Sequence, residues 1–101
     1  MDYSKLDGLI PAVIQDADSS EVLMVGFMNE VALAETRRTG YATFFSRSRN
    51  KLWMKGEESG NVQPVAEILV DCDSDALLYM VDSEKPACHT GNRSCFHNVL
   101  K

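Results

Sequence analysis

The sequence predicts a small, β-rich α+β domain with one main helix, and three observations predict it. Apolar runs of strand length recur along the chain, most clearly at residues 21–28 (EVLMVGFM). A single stretch, residues 29–40, carries both helix start and stop signals. Turn-forming residues divide the rest into short pieces. At 101 residues the chain has the size of one domain, covering residues 1–101. A chain this short buries only about 60–65% of its unfolded surface, so its core is thin and metals or a partner subunit would strengthen it.

Taken in order, residues 10–14 and 21–28 flank the turn-like Asp16-Ala17-Asp18-Ser19-Ser20 and are expected to form a hairpin. In the helix, Asn29 is the N-cap, Glu30 lies in the first turn, and Arg37 and Arg38 lie in the last. Gly40 takes the left-handed position after it. Met28, just before the cap, is placed to staple onto Leu33. Residues 41–46 (YATFFS) and 52–55 read as strands around a polar turn at 47–50, and 57–61 (EESGN) as a loop. Residues 65–81 form one long interrupted strand or two strands, with an acidic cluster in the middle. Everything from Ser83 onward reads as irregular.

Composition narrows the function. Hydrophobic content of 45% and charged content of 25% are ordinary for a globular domain. No apolar run is long enough for a membrane span, and the N-terminal Met1-Asp2-Tyr3-Ser4-Lys5 lacks a signal-peptide pattern; a cytoplasmic protein is expected. A net charge of −5 argues against nucleic-acid or anionic-membrane binding. Three cysteines in a reducing compartment do not make a disulfide framework.

Three segments carry chemistry. In Val70-Asp71-Cys72-Asp73-Ser74-Asp75, a strand would project Asp71, Asp73 and Asp75 from one face and Cys72 from the other. Carboxylates so close together repel unless a cation neutralises them, and hard cations such as magnesium take oxygen ligands of this kind. The alternative is a solvated acidic turn. The second segment, residues 87–96 (ACHTGNRSCF), sets Cys88 and Cys95 on a glycine-containing loop that can fold back on one ion. With Cys72, three thiolates leave a tetrahedral zinc one open position, whereas His89 or His97 as a fourth ligand would make the site structural. Buried, unligated thiols are the bland reading. His89 adjoins a candidate ligand, and imidazole is the side chain suited to accepting or donating a proton at neutral pH; His97 has no such context. The third segment, residues 46–61 (SRSRNKLWMKGEESGN), gathers Arg47, Arg49, Lys51 and Lys55 with hydroxyls suited to phosphate oxygens. Trp53 either stacks on a base or belongs to the core.

Together the strings at 46–61, 71–76 (DCDSDA) and 87–96, in this order and spacing, resemble the phosphoribosyl-AMP cyclohydrolase family of histidine biosynthesis. The helix entry Gly26-Phe27-Met28-Asn29 with Ala32, Leu33 and Thr36 is similar too. The resemblance implies hydrolytic opening of the adenine ring at its N1–C6 bond by zinc-activated water. It implies zinc at Cys72, Cys88 and Cys95, magnesium at Asp71, Asp73 and Asp75, and His89 as the catalytic proton carrier. Substrate binding is implied for Arg47, Arg49, Trp53, Lys55, Ser59, Asn61, Thr90 and Arg93, toward a small nucleotide bearing two phosphates. It further implies an intertwined homodimer in which Cys72 comes from one chain and Cys88 with Cys95 from the other. The pyrophosphohydrolase domain fused to some members has no room in 101 residues.

Two rivals stand beside this reading. A zinc deaminase would carry His-x-Glu and Pro-Cys-x-x-Cys strings, and the sequence has neither. A zinc-stabilised binding module would leave the acidic triplet and the basic stretch without a purpose.

Overall fold

Along Ile10–Asp16 every second residue is buried, the period of a strand with one face on a core. This strand, β1, pairs antiparallel with β2 (Val22–Met28), forming the expected hairpin with a register shift at Ile14/Gln15. Helix α1 (Glu30–Thr39) follows, then β3 (Thr43–Ser46), β4 (Lys51–Met54), β5 (Val65–Val70) and β6 (Leu77–Val81). These elements come from a computed structural model that describes residues 1–101. The result is α+β, with six strands and one helix.

The caps of α1 match their sequence signals. Asn29 accepts from the Ala32 N–H at 2.9 Å, and Gly40 (φ 82°) donates its N–H to the Thr36 carbonyl. Residues 65–81 resolve into two strands, β5 and β6, paired antiparallel. β6 also pairs in parallel with β1, giving a mixed sheet of order β2-β1-β6-β5. The β3–β4 hairpin forms a separate two-stranded sheet beside β2.

One expectation is corrected here. The acidic triplet does not lie on a strand: β5 ends at Val70, and residues 71–76 form the turn into β6. The Asp71 N–H donates to the Ala76 carbonyl and the Ser74 N–H to the Asp71 carbonyl, both at 3.0 Å, while Ser74 adopts φ 61°. Asp and Ser have low strand preference and stabilise turns locally, which outweighs alternation over so short a run. Strand alternation therefore does not set Cys72 apart from the aspartates.

The core lies between the inner face of the four-stranded sheet, α1 and β3. Ile10, Ala12, Ile14, Leu77, Tyr79 and Val81 come from the sheet, Ala32 from the helix and Phe44 from β3. Each fully buried large side chain contributes about 1.5–3 kcal/mol. The Tyr79 hydroxyl reaches Thr36 Oγ1 at 3.4 Å, and Thr36 in turn donates to the Ala32 carbonyl at 3.0 Å, so these two buried hydroxyls are paired. Gly26 lets the β3–β4 hairpin approach β2: a Cβ there would lie 2.6 Å from a Phe44 ring carbon.

Candidate metal and substrate site

The fold sets the thiol-bearing segments at opposite ends of the four-stranded sheet. The acidic turn precedes Leu77, the start of β6, which pairs with Ala12 early in β1. Residues 87–96 are tied to the other end. Cys95 N–H donates to the Leu23 carbonyl at 2.7 Å, and the Ser94 hydroxyl to the Val22 carbonyl at 2.7 Å, both near the start of β2. β6, with its five residues, spans roughly 16 Å between these ends.

At the turn, Asp71, Cys72 and Asp73 present ligand atoms that all lie within 4.8 Å of one another, all exposed. Cys72 thus shares the aspartates' surroundings, and its thiol is pushed up by the hydrogen bond to Asp71 and by the neighbouring negative charges. Lys5, which the sequence reading overlooked, places Nζ 2.8 Å from Asp75 and 3.1 Å from Asp73. Its ammonium is held above the ordinary lysine range by those two hydrogen bonds. A cation is therefore already drawn to these carboxylates, and hard-cation chemistry fits the donor set. An adjoining hollow of about 390 Å³ is lined by Asp2, Lys5, Asp71 and Asp75 among others.

At the other end, Cys88 and Cys95 lie on one loop, which the Ala87 N–H closes onto the Arg93 carbonyl at 3.0 Å and the Cys88 N–H onto the Asn92 carbonyl at 3.2 Å. Cys88 is buried and its thiol is lowered to about 6, first by the Thr90 hydroxyl, then by the Thr90 N–H and His97. Thr90 Oγ1 lies 3.0 Å and His97 Nε2 3.7 Å from its sulfur. Cys95 is raised, mainly by burial and then by the charge of Cys88, with Lys55 opposing. A soft, partly ionised thiol pair of this kind suits zinc. His89 is exposed on the same loop.

Lys55, whose charge acts on Cys95, directly follows β4 of the basic hairpin. Its Nζ sits 5.8 Å from the Trp53 ring centroid, and Trp53 packs at 5.2 Å against Phe44. Trp53 thus anchors in the core while its neighbours Arg49, Gly56 and Ser59 line a groove of about 190 Å³ with it. Arg47 instead stacks 4.0 Å over the Phe27 ring and borders a wider hollow of about 510 Å³ with Trp53 and Ser48. Asn61 is half-buried, its N–H donating to Ser59 Oγ at 3.2 Å. Arg93 is engaged structurally: it donates to Asp16 Oδ1 and to the Ser83 carbonyl, each at 2.8 Å. Asp16, Lys5 and the Thr90–His97 surroundings of Cys88 escaped sequence reasoning, because each depends on residues distant in sequence or on loop geometry.

Thiols and carboxylates displayed from a small α+β fold that also carries a basic hairpin are the donor types of a metal-dependent enzyme domain. The family model described as phosphoribosyl-AMP cyclohydrolase matches residues 24–97, and the chain belongs to that family of hydrolases. It is 56% identical over 101 residues to the phosphoribosyl-AMP cyclohydrolase of Nitrosopumilus maritimus (strain SCM1), covering 100% of this chain and 94% of the relative. The Cenarchaeum symbiosum (strain A) protein of the same name is 54% identical over 99% of this chain and 93% of its own length. That of Geotalea uraniireducens (strain Rf4) is 61% identical over 96% of this chain and 78% of its own.

Proposed function

We propose that this chain hydrolyses the adenine ring of 1-(5-phosphoribosyl)-AMP in histidine biosynthesis, as a homodimer with zinc at Cys72, Cys88 and Cys95. The observation that carries the reading is the separation of the thiols. Cys88 and Cys95 share one loop at the start of β2, while Cys72 lies in the turn at the opposite end of β6. A second copy supplies the missing sulfur if the two chains pack so that one copy's turn meets the other's loop. The outer face of the sheet supports such packing. Val25, Val13, Leu78 and Leu69 stand side by side across its four strands, and Val25 and Leu69 remain 47% and 44% exposed.

Zinc, when bound, supplies a Lewis acid that brings water toward a nucleophile near neutral pH. Overall, one water adds across the N1–C6 bond, which breaks; the exocyclic amine is kept as a carboxamide and no ammonia leaves. His89 carries a proton from the attacking water to the departing ring nitrogen. Asp71, Asp73 and Asp75 would hold magnesium in place of the Lys5 ammonium, and the ion would supply positive charge for a phosphate-bearing substrate. Arg47, Arg49 and Lys55 contribute positive charge, with Ser59 and Asn61 shaping the groove beside Trp53. Arg93 acts by holding the cysteine loop against Asp16. The reaction is followed by absorbance of the ring-opened product, with ammonia assayed in parallel. Turnover that is abolished by a zinc chelator and yields no ammonia is expected; ammonia release would replace this reading with a deaminase.

A further inference from the structure

A zinc ion held by three thiolates receives a large amount of charge from sulfur, which blunts its ability to acidify water. The surroundings of Cys88 counter this. Asn92 Nδ2 donates to Thr90 Oγ1 at 2.8 Å, so the Thr90 oxygen is occupied as an acceptor and its own proton is free to point at Cys88 Sγ, 3.0 Å away. On another side, His97 Nε2 lies 3.7 Å from the same sulfur, a distance suited to N–H donation to the larger sulfur atom. A thiolate only accepts, so the Thr90 hydroxyl, and His97 in the tautomer that carries its proton on Nε2, serve as donors to it. The other two sulfurs are placed differently. Cys72 stands beside the Asp71 and Asp73 carboxylates, and Cys95 is raised by burial and by the charge of Cys88.

Resting on the zinc assignment above, we infer that Thr90, oriented by Asn92, and His97 are positioning residues for Cys88, withdrawing charge from its sulfur so that the bound ion stays acidic. Groups that hydrogen-bond to a metal ligand fix its orientation and tune its donation, and losing one typically costs about 10–100-fold in affinity or activity. Chained donors polarise each other, so the exposed Asn92 acts on the sulfur through its hydrogen bond to Thr90. This commits the Thr90 hydroxyl to sulfur rather than to substrate.

The test uses the full-length protein loaded with cobalt(II) in place of zinc, reading the sulfur-to-cobalt charge-transfer absorption. Removing a donor raises the energy of the sulfur electrons, so Thr90→Val, His97→Phe and Asn92→Ala should each move the band to longer wavelength. In the zinc-loaded protein the same variants should lower turnover about 10–100-fold. Thr90→Ser, which keeps the hydroxyl, and His97→Gln, which keeps an N–H donor, should restore both readouts toward the parent. An unshifted band in all three donor-loss variants overturns the inference; Asn92→Ala, at an exposed position, keeps that outcome accessible if another variant folds poorly. A parent protein without any charge-transfer band, or one whose band keeps its full intensity in Cys88→Ala, would instead overturn the thiolate–zinc reading beneath it.

Discussion

Arg93 Nη2 donates to Asp16 Oδ1 at 2.8 Å, fastening the cysteine loop to the end of β1. Asp16 is 6% exposed and also accepts from the Ser19 N–H at 2.7 Å, so its charge is formed inside the fold and paired there. Arg93→Ala leaves that carboxylate short of a charged partner. A loss of about 1.5–3 kcal/mol is expected, measured by urea unfolding of the metal-free protein. Unchanged stability would contradict the tether.

The same pair sets an acid limit. The Ser19 N–H first, with help from the Ser19 hydroxyl and the Arg93 charge, holds the Asp16 carboxyl below its ordinary range. Stability from a lowered carboxyl is fully present above its unfolded value and disappears as pH falls through the folded one, which places the loss below about pH 4. Asp16→Asn should be less stable than the parent at neutral pH and should approach it as pH drops below about 4. Parallel stability curves for the two proteins would contradict this.

Gly26 is required by the Phe44 ring that lies over it. Gly26→Ala forces the buried ring aside, at an expected cost of about 1–3 kcal/mol. The urea midpoint should fall with little change in slope. A midpoint equal to the parent's would mean the hairpin moves away freely.

Lys5 occupies the carboxylates that are proposed to take magnesium. Because the ion must displace the ammonium from Asp73 and Asp75, Lys5→Met should bind magnesium several-fold more tightly by calorimetric titration. Weaker binding in Lys5→Met would show that Lys5 helps to build the site rather than competing for it.

In the metal-free protein the three thiols should ionise separately. Cys88, surrounded by donors, should titrate near 6, with Cys72 and Cys95 above the ordinary thiol value. Ultraviolet thiolate absorbance should rise in distinct steps, the first of which disappears in Cys88→Ala. A single step shared by all three would contradict the asymmetry.

Much of this was legible in the sequence where local chemistry decides structure. Asn29 and Gly40 bound the helix, and the run at 21–28 pairs with its neighbour across the turn at 16–20, because caps and alternation act over a few residues. The strand reading of residues 71–75 failed where the turn chemistry of Asp and Ser outweighed alternation. The parallel pairing of β1 with β6 carries no local signal, since it joins segments some sixty residues apart. For the same reason Lys5 at the acidic turn, and Asp16 under Arg93, could be seen only after folding. His97 lies two residues beyond Cys95, and its return to Cys88 depends on the path of the loop.

The direct test of the shared site is to mix two inactive proteins. Cys72→Ala and Cys88→Ala, unfolded together and refolded with zinc, form mixed dimers in which one of the two sites has all its sulfurs. Random pairing then restores about one quarter of the parent activity, with matching zinc content. A mixture as inactive and zinc-free as either variant alone would contradict a site built from two chains.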